Sequence, residues 1–185
     1  MTTPVLLPAS TPFPGGRLVP RVLVGAVAIV AFAGASAGSA SAVEDTASTD
    51  ANVIVGSAIT LTDLTPSFDL SGIPGATVTG LAAVTYTVET NNAAGYSVTV
   101  QSQTPTMVAT APGNPDSIPI AALTAREGGP GAYTALSDLT ALQVHTQATR
   151  SAEGGDNLTT DFEVAIPFVN SDTYTATLDY VAATL

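Results

Sequence analysis

The chain contains no cysteine, no tryptophan, no lysine and a single histidine. Without cysteine there is no disulfide, no thiol nucleophile, no zinc–thiolate site and no lipid-bearing cysteine. Without lysine there is no Schiff-base chemistry and no Lys–Asn crosslink. One histidine cannot build a His-rich metal centre. Positive charge is also scarce: four arginines face fifteen acids. Arg17 and Arg21 precede the first acid, Glu44, so beyond residue 43 the formal charge is 2 − 15 = −13. A polyanion without a basic patch lacks the phosphate-neutralising term that dominates nucleic-acid affinity, and it is not drawn to anionic membranes.

What is present begins with a leader. Arg17 and Arg21 flank an apolar run from Val22 to Ala33, and Ala40-Ser41-Ala42 supplies the small-x-small pattern of a signal-peptidase site. The run is short of the roughly 20 residues a spanning helix needs. Residues 1–42 are therefore expected to be a cleaved signal peptide, with no stable membrane insertion after cleavage. Residues 43–52, rich in Thr, Ser and acids, read as a flexible segment. A single domain is expected over 53–185.

Within that domain the period is two. Val78, Gly80, Ala82, Val84, Tyr86 and Val88 alternate with Thr79, Leu81, Ala83, Thr85, Thr87 and Glu89. After Asn91-Asn92-Ala93-Ala94-Gly95, which is turn chemistry, Tyr96, Val98 and Val100 alternate with polar residues, so a hairpin is expected. Phe162, Val164, Ile166 and Phe168 mark another strand. The turn Asn170-Ser171-Asp172 then leads to Tyr174, Ala176, Leu178 and Tyr180, a second expected hairpin. Val53, Val55, Ile59 and Leu61 are read as opening the domain, and Ile118, Ile120 and Leu123 as one strand. Leu142 and Val144 are read as facing inward, with Gln143, His145 and Gln147 on the wet face. The pattern predicts an all-β fold, an antiparallel β-sandwich of about eight to ten short strands.

Chemistry is harder to find. His145 among glutamines reads as a solvated residue, and no Gly-x-Ser-x-Gly elbow accompanies it. Paired carboxylates without exposed aromatic platforms argue against a glycosidase. The chain is thus expected to be non-catalytic and without an organic cofactor. The sharpest site expected is for calcium, which takes carboxylate and carbonyl oxygens. Glu153, Asp156, Asn157 and Asp161 would form it, with Asp172 joining from the same end of the sandwich. Asp63 and Asp69 are a second candidate pair. Asn157-Leu158-Thr159 matches a glycosylation sequon.

The stretches Thr90–Val100 and Ser171–Tyr180 resemble the WxL-type surface domains of Gram-positive bacteria, which place a Gly-aromatic step before an alternating strand and close on a Thr/Tyr-rich strand. The tryptophan that names that family is missing here, and Tyr96 and Tyr180 stand nearest to it. The resemblance implies a β-domain held non-covalently at the cell surface or wall. The function expected is that of a secreted or cell-envelope-associated protein, binding envelope material, a partner protein or further copies of itself. A secreted hydrolase is the remaining alternative.

Overall fold

A computed structural model describes residues 44–185. The signal peptide expected over residues 1–42 lies outside them. Residues 44–58 carry no regular element, and the compact unit spans Ala51–Leu185. Among the described residues no helix is long and apolar enough to cross a membrane.

The fold is all-β, as expected. Among the described residues eleven strands follow in order: β1 (Ile59–Thr62), β2 (Thr77–Thr90), β3 (Tyr96–Ser102), β4 (Thr106–Ala109), β5 (Ser117–Pro119), β6 (Leu123–Glu127), β7 (Thr134–Ala135), β8 (Leu142–Gln147), β9 (Asp156–Ala165), β10 (Tyr174–Thr175) and β11 (Leu178–Thr184). The count exceeds the expectation because β7 and β10 are ladders of two residues. All pairings are antiparallel, in sheets ordered β1-β2-β9-β6-β7, β10-β4-β5 and β11-β3-β8.

The two small sheets are halves of one bent layer. β11 pairs with β3 from Thr184↔Tyr96 to Leu178↔Ser102, and β10 continues against β4 from Thr175↔Val108. Between them the Gln103 amide donates to the Thr177 carbonyl at 3.0 Å. This bent layer faces the five-stranded sheet across one core, in which Val88, Tyr96, Val98, Val100 and Phe162 are fully buried. Burial of each such side chain contributes about 1.5–3 kcal/mol, and with no disulfide the fold rests on this packing and its ladders.

Two expected hairpins are not hairpins. β2 and β3 lie in different layers, so Asn91–Gly95 is an arch that carries the chain across the core. The reason lies in the side chains: Val84, Tyr86 and Val88 face Tyr96, Val98 and Val100 in the shared interior, so the strands stack instead of pairing edge to edge. Gly95 (φ +96°) makes the arch possible, because a Cβ there would collide with the Gln147 carbonyl. Likewise β9 and β10–β11 sit in opposite layers. Three further expectations need correction. Phe168 follows the end of β9 and is 96% exposed. Val53 and Val55 are exposed and precede the first strand. Ile118, Ile120 and Leu123 fall on β5, a 3-10 turn (Ile120–Ala122) and β6.

Candidate functional site

Asp161 is 3% exposed, on the outer face of the five-stranded sheet, where β2 bulges. Leu81, Ala82 and Ala83 oppose it in the register shift between Gly80 and Val84. Ala82 takes φ +48°, a strained state for a residue with a Cβ. The bulge is held because the Ala82 amide donates to Asp161 Oδ1 at 2.7 Å. Arg126 donates to Oδ2 through Nε (3.1 Å) and Nη2 (3.0 Å), and its guanidinium lies 4.4 Å from the Tyr133 ring centroid. Burial pushes the Asp161 carboxyl up, but the Ala82 amide, Arg126 and the Gly129 amide outweigh it and hold it below the usual range. This carboxylate is a keystone of the bulge.

His145 corrects the alternation read from sequence. Val98 pairs with His145 but Thr99 with Gln143, so Val144 is an extra residue in β8. A one-residue bulge reverses the phase of the strand beyond it. His145 therefore turns inward, with its side chain 10% exposed, and Gln147 turns in beside it. His145 Nδ1 donates to Glu127 Oε1 at 2.7 Å, its ring lies 5.3 Å from that of Tyr96, and its Nε2 is buried without a partner. Tyr96 donates to Asp156 Oδ2 at 2.8 Å, joined there by Gln147 Nε2 at 3.2 Å, while the Ala152 amide donates to Oδ1 at 3.0 Å. Burial raises the Asp156 carboxyl, but these donors together with His145 bring it below the usual range. Burial and the Asp156 partner push the Tyr96 hydroxyl well up. A general base must reach its substrate. Here the free nitrogen of His145 is buried, and no hydroxyl nucleophile bonds to it.

The five residues expected to gather for calcium are dispersed. Asp156 faces the core at the arch end of β9, and Asn157, on the other face, accepts from Thr87 Oγ1 at 2.9 Å. Glu153 is exposed in the preceding turn. Asp172 lies beyond the far end of the ten-residue strand β9, a run of about 30 Å. Its oxygens accept from Asn114 Nδ2 (2.8 Å), the Thr173 amide (2.7 Å) and the Ala111 amide (3.1 Å). Asn114 and these amides hold its carboxyl low. Asp63 and Asp69 both sit in the β1–β2 connection, exposed. Among the described residues no three acidic or histidine side chains are grouped to hold a metal ion.

A large concavity among the described residues was not legible in the sequence. At the end of the sandwich formed by the start of β2, the end of β9 and the β4–β10 pair, the layers part into an open groove of about 960 Å³. Its walls are the β1–β2 connection, carrying Phe68 and Leu70, and the Tyr174–Tyr180 stretch, with Met107 and Ile118 beyond. β10 and β11 are edge strands, so this wall offers a free backbone edge. A smaller pocket of about 280 Å³ lies beside His145 and Glu127. Comparison with protein-family models and with curated proteins finds no match to the chain.

Proposed function

We propose that the chain is an exported, non-catalytic protein of the cell surface whose β-sandwich binds an extended segment of a partner in the groove beside β10–β11. The observation that carries this reading is the pairing of a large, mainly apolar groove with an unpaired strand edge, the two elements of recognition by strand addition. Backbone groups of the edge supply affinity and the groove selects alternate side chains. The leader over residues 1–42 and the likeness to WxL-type surface domains support export and retention at the envelope. A non-catalytic role is supported by the state of the acids, since Asp156, Asp161 and Asp172 are each occupied by donors within the domain.

A chain without cysteine permits a clean test. Ser71, exposed at the groove, is changed to Cys and alkylated with a bulky maleimide. Unmodified protein should rebind isolated envelopes of the source organism, and the blocked protein at least tenfold less. Failure of the unmodified protein to rebind, or equal binding by both, overturns the proposal.

Self-assembly is the second reading. Edge strands normally carry lysine, proline or a bulge as protection. β11 pairs with β3 over seven residues without a register break, and its one charged side chain, Asp179, accepts from Gln103 Nε2 at 2.9 Å.

A further inference from the structure

Three consecutive large apolar residues stand in water: Val53 (88% exposed), Ile54 (95%) and Val55 (77%). They are β-branched, the side chains best suited to strands, yet they belong to no strand. Their position is fixed at the arch end. Asn91 Nδ2 donates to the Gly56 carbonyl at 2.8 Å, and the Ala58 amide donates to Asn91 Oδ1 at 2.8 Å. Because Ile59 pairs with Thr90, the last residue of β2, the chain before Gly56 runs on past that end of the sandwich. It would have to reverse within the clamped residues to reach its own groove, which opens at the opposite end.

We propose that Ala51–Val55 of one copy, projecting beyond the clamp at Gly56–Ala58, enters the groove of the next and adds a strand to its Tyr174–Tyr180 edge. Val53 and Val55 share a face by the two-residue period and fill the groove beside Leu178 and Tyr180. Ile54 faces outward, on the side where Val181 is 56% exposed. Donor and acceptor lie at opposite ends of one domain, so a tail-to-groove contact between successive copies is heterologous, and its repetition builds a ring or an open series of more than two copies. Each copy is a polyanion, so salt that screens repulsion over about 10 Å or less favours assembly. The inference rests on the groove-binding reading and names its partner as a second copy.

The test uses the full chain purified as exported, followed by light scattering over a range of concentrations at low salt and in about 0.5 M sodium chloride. Mass should rise without stopping at two copies, and more steeply in salt. The double variant Val53→Asp/Val55→Asp, altered only at exposed positions, should stay monomeric and folded, while Ile54→Asp weakens assembly by a smaller factor. A peptide of sequence Ala51–Ala58 should bind the double variant and slow amide exchange at Tyr174–Tyr180. A wild-type chain that remains monomeric in both salts overturns the inference, as does equal loss from all three substitutions or protection at any other edge. Envelope rebinding by the double variant distinguishes the two ideas. Its groove is intact, so its retention beside a monomeric wild type sustains groove binding while removing tail donation.

Discussion

The two ends of the sandwich hold their acids alike but close their layers differently. At the arch end many polar groups have fixed partners, His145 Nε2 being an exception. Ser151 bonds both the amide and the carbonyl of Thr90, Asn92 Nδ2 reaches the Gly95 and Leu185 carbonyls, and Tyr96 and Gln147 converge on Asp156. At the groove end Asp172, Asn114 and Tyr174 are tied as firmly, but the layers part into an open groove and Ile73 is exposed. Both ends spend polar residues on rigidity, and the groove end also leaves an open, mainly apolar wall.

Substitutions can break this contrast, and the largest effect is expected between the ends. Asp161→Ala would strand the Arg126 guanidinium and two amides, and a loss of about 3–5 kcal/mol in urea unfolding is expected. Asp161→Ala within about 1 kcal/mol of the wild type would show the bulge to be held by something else. Next come two glycines with positive φ. Gly95→Ala forces a Cβ into the backbone at Gln147–Thr149 and should cost roughly 3 kcal/mol or more. Gly75→Ala, at φ +84° with open space around it, should cost only about 1–2 kcal/mol. Equal losses at both would erase the distinction between a closed end and an open one.

The acids sharpen it further. Asp156 and Asp161 have carboxyl groups held below their ordinary value, so their contribution is complete above the unfolded carboxylate pKa of about 4. It is lost as pH falls from there through the folded values. Melts from neutrality down to strong acid should therefore be level until about pH 4 and decline below it; Asp161→Asn should flatten part of that decline. The smallest effect is expected at Phe168, where Phe168→Ser should move stability by less than about 0.5 kcal/mol, since the ring is almost wholly exposed.

Much of the fold was legible because the period of two survives in the strands that form the core. Val84, Tyr86, Val88, Tyr96, Val98 and Val100 all face inward as the alternation requires. What alternation cannot convey is which strand lies beside which. Asn91–Gly95 reads equally as a hairpin turn or an arch, and only the burial of both flanking strands toward each other decides it. Nor can it convey an inserted residue. Val144 reverses the phase of β8, so His145 and Gln147, polar by pattern, end inside. The keystone role of Asp161 depends on the bulge at Ala82, for which the sequence offers only a weak signal, the glycine at position 80 in a strand. The groove depends on two layers parting, which no local pattern records.

The arch also governs how the domain can come into being. A hairpin could close as soon as its second strand appeared, but β2 must wait for β9, with Val88 meeting Asp156 and Thr77 meeting Ala165. Pairings so remote along the chain make for slow folding, since loop closure must precede any gain from contact. A polypeptide that completes its central ladder so late remains threadable while most of it is already made.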